Sequence, residues 1–263
     1  MAERLGFAVS MSGWRVGVVA DSRSSADVLD RYVFPWLPRE PLDAGHVDAV
    51  AEVAHGGPGV RVLAEGREVG VAASVEEAIA PLTSWLDGRF AARTSHLVVH
   101  AGAAALDGAA VLVPGRSHAG KSTLTRALLQ RGFRYYSDEY ALIDPHGLLC
   151  PYPRALMLRD GRPTARPLLA SECNGLPPDG PVRVALVLAL SFEPDRGWAV
   201  ERIPQGAMLL ELLRNTPQAM AEREDLVAGF ARAVAGAACY RGTRGEAGEA
   251  ASRIADLLVA VRG

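Results

Sequence analysis

The chain has 263 residues, 49% apolar and 22% charged, with a formal net charge of −2. That length and apolar content suit one large domain or two modest ones, and the near-neutral charge excludes a strongly basic nucleic-acid surface. Cys150, Cys173 and Cys239 stand apart without metal-ligand spacing, no apolar run reaches membrane length, and Met1 to Leu5 lacks a secretory pattern. These traits point to a cytoplasmic protein without a nucleic-acid or membrane partner.

Residues 1–95 read as a small α+β N-terminal domain. Phe7-Ala8-Val9 and Trp14 to Ala20 predict strands around a Ser12-Gly13 turn, and Asp27 to Tyr32 a short helix. Val60 to Ala64 and Glu68 to Val71 alternate around Glu65-Gly66-Arg67, the pattern of a hairpin. Ser74-Val75-Glu76-Glu77 is a capping box that starts a helix to about Arg93. Nothing here carries chemistry, so docking, oligomerisation and a plain structural role stay open.

Residues 96–263 read as a second, α/β domain. Leu97 to Gly102 is strand-like, and Ala103 to Leu106 pairs with Ala109 to Val113 across Asp107-Gly108. Gly115-Arg116-Ser117-His118-Ala119-Gly120-Lys121-Ser122 then fits G-x-x-x-x-G-K-[ST], between a buried strand and a helix from Thr123 to Arg131 that Gly132 stops. Such a loop aims backbone N–H groups and a helix N-terminus at phosphate oxygens. Lys121, the sole lysine of the chain, would reach the β- and γ-phosphates of ATP, and the Ser122 hydroxyl would hold Mg²⁺. Thr123 completes the nucleotide-binding run.

Phe133 to Ser137 predicts the next strand. It ends at Asp138-Glu139, the best candidates for the acid that phosphoryl transfer requires. Tyr140 to Ile143 and Leu148 to Cys150 flank a turn. Residues 151–181 are loop-rich and hold Arg154, Arg159, Arg162 and Arg166, which read either as an anion clamp or as a solvated loop. Val182 to Phe192 predicts a strand buried on both faces, followed by helices at 205–215, 222–237 and 247–262.

Residues 97–144 resemble the kinase domain of bacterial HPr kinase/phosphorylase and its relatives. The residues that carry the resemblance are His100-Ala101-Gly102, the loop Gly115 to Ser122, Ala127 to Gly132, and Ser137-Asp138-Glu139. Phosphoenolpyruvate carboxykinase is similar more remotely, and the HPr kinase-like proteins of peptide natural-product clusters, lasso-peptide kinases among them, look closer than the carbon-regulatory enzyme. His118 stands where that enzyme usually has glycine, Glu139 replaces the second aspartate of its acid pair, and its phosphorylase-associated motif is absent. The resemblance implies an α/β P-loop kinase core. It implies transfer of the γ-phosphate of ATP to a serine-type hydroxyl on a peptide, protein or small molecule. Asp138 would take or orient the hydroxyl proton and Glu139 would complete the Mg²⁺ shell, or the two acids would exchange roles. His100 would hydrogen-bond the acids or the γ-phosphate, or would be an ordinary strand histidine. The family's regulatory members are oligomers, which leaves homo-oligomerisation open.

Two other readings compete. One is a nucleotide-dependent switch or ATPase without a phosphoacceptor, which usually needs an apolar strand ending in aspartate; Val184 to Leu190 is such a strand, but Ser191-Phe192-Glu193 follows it. The other is a degenerate nucleotide-binding scaffold, against which the intact Lys121, Ser122 and Asp138-Glu139 argue.

Overall fold

The computed structural model describes residues 5–11, 13–116, 119–152, 154–159 and 161–262. In chain order the elements are β1 (Leu5–Met11), β2 (Trp14–Ala20), α1 (Arg23–Tyr32), β3 (Ala49–Gly56), β4 (Gly59–Ala64), β5 (Arg67–Ala72), α2 (Val75–Ala91), β6 (Leu97–Leu106), β7 (Ala109–Pro114), α3 (Lys121–Leu129), β8 (Arg134–Ser137), β9 (Tyr140–Ile143), β10 (Leu149–Cys150), β11 (Leu156–Leu158), β12 (Arg166–Leu168), β13 (Arg183–Phe192), β14 (Ala199–Arg202), α4 (Gln205–Arg214), α5 (Leu226–Val234), β15 (Ala238–Arg244) and α6 (Ala247–Ala260). The chain is mixed α/β with several sheets and divides into two compact units, 1–94 with 154–169, and 95–153 with 170–263.

The first unit is a five-stranded sheet in the order β1-β2-β3-β4-β5. Only the β2–β3 pair is parallel, as the crossover through α1 requires. Ser22 caps α1 by accepting from Ser25 N–H at 3.2 Å, which starts the helix four residues earlier than the apolar pattern suggests. Ser74 caps α2 by accepting from Glu77 N–H, and Glu77 Oε2 accepts from Ala73 N–H, a variant of the expected box. Gly70 lets α2 approach, since a Cβ there would stand 2.5 Å from Pro81 Cβ. Ser12, half of the expected turn, lies outside the described residues. The antiparallel ribbon β11–β12 packs with α2.

That ribbon corrects one expectation. The arginines of 154–166 lie in this unit, where Arg154 pairs with Asp87 of α2 and both side chains are buried. Arg154 is therefore an internal counter-ion and not a solvent-facing clamp.

The second unit is built on a sheet in the order β10-β9-β6-β7-β13-β15-β14, with β8 also pairing β6. β13 is parallel to both β7 and β15 and supplies the buried centre. β6 is one continuous strand where the sequence suggests two. Its hairpin to β7 turns at Asp107 (φ 49°) and Gly108 (φ 75°), both left-handed as a two-residue type I′ turn demands. Helix α3 packs on β6 and on α6, and α5 packs on β6, β9 and β13. Gly102 makes the first contact close, because a Cβ there would meet Thr125 Oγ1 at 2.7 Å. Gly132 (φ 85°) ends α3 as expected.

Candidate active site

The site is assembled around the His100–Ala101 rung of β6. On one side Ala101 pairs with Pro114 of β7, and Gly115 N–H donates to His100 O at 3.1 Å. On the other, His100 pairs with Tyr140 of β9, and Ala101 N–H donates to Glu139 O at 3.0 Å. The start of the P-loop and the acid pair thus flank one strand. The backbone of Asn215, the C-cap of α4, joins them, since His100 N–H donates to Asn215 O at 2.8 Å.

The loop leaves β7 at Gly115 and enters α3 through Gly120, whose φ of 74° is left-handed and suits glycine. Lys121 is buried in the first turn of α3, and its Nζ donates to Arg116 O at 3.0 Å, folding the ammonium back across the loop. Ser122 is half-buried and Thr123 exposed in the same turn, with Ala119 half-buried before it. Ser117 and His118 lie outside the described residues.

Behind the loop stands a residue that the sequence pattern does not single out. Arg244, the last residue of β15, is buried; its Nη2 donates to Gly120 O at 3.1 Å and to Ala119 O at 3.5 Å, and its Nη1 donates to Gly245 O at 3.0 Å. Burial lowers its pKa from the usual arginine value, with Glu246 opposing, and the guanidinium remains charged. A Cβ on Gly120 would run into Arg244 Nη2. The guanidinium also lies 5.0 Å from the centre of the Phe192 ring. Nothing in Ala238 to Arg244 announces this role: the segment reads as a polar stretch between two helices and pairs only through the distant β13 and β14.

The acids sit in a tight turn between β8 and β9. Ser137 Oγ accepts from Glu139 N–H at 3.1 Å and from Tyr140 N–H at 3.0 Å, which holds the turn in shape. Asp138 is fully buried, and the Tyr135 hydroxyl donates to its Oδ1 at 2.9 Å. Glu139 keeps 24% side-chain exposure, and its Oε1 lies 3.1 Å from His100 Nδ1, an ion-pair distance without hydrogen-bond alignment. The His100 ring meets Tyr140 edge-on at 4.8 Å.

Two cavities open beside the loop within this unit. One, of about 560 Å³, is lined by Gly115, Arg116, Phe192, Glu211, Arg241 and neighbours at the carboxyl ends of β7, β13 and β15. The other, of about 330 Å³, is lined by His100, Arg116, Arg214, Asn215 and Thr216. The positive charge that lines these cavities comes from Arg116, Arg214 and Arg241.

No protein-family model and no curated protein matches the chain. Among solved structures, the chain is similar to the Hpr(Ser) kinase/phosphatase from Coxiella burnetii, with a TM-score of 0.38 and 14% sequence identity, over 63% of this chain and 99% of that chain. A likeness of that size is too small to carry a functional assignment.

Of the residues singled out in the sequence, Gly115, His100 and Glu139 meet at one rung, Lys121 and Ser122 share the first turn of α3, and Asp138 adjoins Glu139 in the turn beside them. Among the described residues no three His, Cys, Asp or Glu side chains are grouped to hold a metal ion. The oxygen donors that the sequence proposes for a metal, the Ser122 hydroxyl in the first turn of α3 and the carboxylates of Asp138 and Glu139 in the turn after β8, are of the hard kind that suits Mg²⁺ completed by phosphate and water. No helix among the described residues is long and apolar enough to cross a membrane.

Proposed function

We propose that residues 95–153 and 170–263 form an HPr kinase-like P-loop phosphotransferase that moves the γ-phosphate of ATP to a serine-type hydroxyl on a peptide, protein or small molecule. One observation supports this most: a single rung of β6 has the P-loop's first glycine on one side and the acid pair on the other. Phosphoryl transfer needs little covalent chemistry from a protein. It needs the phosphates cradled, the acceptor held in line and an acid beside them.

In this reading the loop N–H groups and Lys121 hold the triphosphate. That requires Nζ to exchange Arg116 O for phosphate oxygens, a short movement within the loop. Ser122 Oγ and one carboxylate would hold Mg²⁺, which supplies charge neutralisation at the phosphates. The other carboxylate takes the acceptor's proton. Burial favours Glu139 for that role: it is partly exposed and adjoins His100, whereas Asp138 is fully buried and fixed by Tyr135. His100 then orients the Glu139 carboxylate from the strand.

The test is transfer of label from γ-labelled ATP with Mg²⁺ to free serine, Ser-containing peptides and an HPr-like protein. Label should appear on one acceptor and be lost in Lys121→Ala. Glu139→Gln should lower transfer more than nucleotide affinity. Phosphate released to water with no acceptor labelled would instead support a switch or ATPase, and no turnover at all would end the kinase reading.

A further inference from the structure

The strand order divides the surroundings of the P-loop. Across β6 lie Asp138 and Glu139; on the opposite side, over β13 and β15, lies the cavity of about 560 Å³. If phosphate is transferred on the acid side, the rest of the nucleotide has to leave the loop on the other. That cavity is of the size that holds small organic ligands, and it sits at the carboxyl ends of parallel strands, the usual ligand edge of an α/β sheet.

Its lining has the chemistry of a nucleoside seat. Phe192 ends β13, lines the cavity and is 46% exposed, which leaves ring surface open for a ligand to stack on. The Arg244 guanidinium lies over the same ring, so one cation both supports the P-loop carbonyls and faces this aromatic. The far wall is a charged clamp: Glu211 Oε1 accepts from Arg241 Nη2 at 2.7 Å and from Arg214 Nη1 at 3.1 Å. With Arg116, the lining carries three guanidiniums against one carboxylate, which favours an anionic ligand reaching in from the loop.

We propose that this cavity seats the nucleoside of the bound nucleotide, with the base stacked on Phe192 and the Arg241–Glu211–Arg214 clamp forming the polar wall beside the sugar. The proposal rests on the phosphotransferase reading for the placement of the phosphates. It assigns the choice of nucleotide to residues outside the P-loop, on β13, β15 and α4.

The experiment compares ADP with inorganic tripolyphosphate, which offers phosphates but no base, by calorimetric titration of the full chain. Phe192→Ala should weaken ADP about tenfold, as loss of base–aromatic stacking does. Tripolyphosphate should bind the wild type and this variant within about twofold of each other, and Phe192→Trp should retain ADP affinity. An unchanged ADP affinity in Phe192→Ala, or an equal loss for both ligands, would overturn the proposal. If the wild type bound neither ligand, the P-loop reading would fail first and take the nucleoside seat with it.

Discussion

Gly120→Ala should damage this protein through a side chain far away in sequence. Two costs add. The left-handed φ of 74° charges an L-residue roughly 1–2 kcal/mol. The new Cβ also falls on Arg244 Nη2. That atom ends a flexible side chain, so it can move; but the guanidinium is buried, and moving it gives up the bond to Gly120 O. A hydrogen bond from a charged donor contributes about 1.5–3 kcal/mol. The single substitution should therefore cost roughly 2.5–5 kcal/mol, on those two terms. In an Arg244→Ala background the second term has already been lost, and Gly120→Ala should add only about 1–2 kcal/mol. The double-mutant cycle should show a coupling of about 2 kcal/mol. Urea unfolding read by pulsed hydrogen exchange and mass spectrometry would follow peptides of 95–153 and 170–263 apart from the others. Additivity within about 0.5 kcal/mol would refute the claim that Arg244 braces the loop.

Tyr135→Phe removes the hydroxyl that donates to the buried Asp138 carboxylate, and should cost about 2 kcal/mol in the same assay; a change under about 0.5 kcal/mol would mean that the bond does not hold Asp138 in place. Asp87→Ala removes the α2 carboxylate that pairs with the buried Arg154 and should cost about 3–5 kcal/mol in the first unit, whereas Asp87→Leu with Arg154→Leu should recover most of it. Equal losses in the two variants would count against a buried ion pair. The Cys150 thiol is pushed up to about 11 by burial, with Asp144 adding to the shift. The unfolded chain then gives up its thiol proton first, so this group's contribution to stability falls as pH rises from the ordinary thiol range towards 11. Alkylation by iodoacetamide at neutral pH should run about a hundredfold slower in the folded protein than in urea, and equal rates would contradict it.

What the sequence discloses here is mostly local. Asp107-Gly108, Ser74 to Glu77 and Gly132 each specify a turn or a helix end through residues a few positions apart, and each is found where the pattern puts it. The P-loop and the acid turn are local as well, since Ser137 shapes the backbone that presents Glu139. Long-range partners leave no such trace. Strand β15 carries two arginines and a glycine, and becomes a strand because β13 and β14 accept its ladder. β3 is a strand of small residues, with Ala49, Ala51 and Val53 turned inwards, and its alternation is too faint to stand out. Arg244 reaches the loop across 124 positions of sequence, and Arg154 meets Asp87 across 67.

The two units are interleaved along the chain, with 95–153 made between the first part of one unit and its completing ribbon. Synthesis from the N-terminus therefore delivers Asp87 before its counter-ion exists. At 5–20 residues per second the ribosome needs roughly 3–13 s to bridge that gap of 67 positions. During that interval the nascent first unit holds α2 without β11–β12, and closes only after β6 to β10 of the second unit have emerged. The birth order of this protein thus ties the maturation of its N-terminal unit to the production of the second unit's sheet, and a fragment starting at residue 95 inherits Arg154 without Asp87, the carboxylate it pairs with on α2.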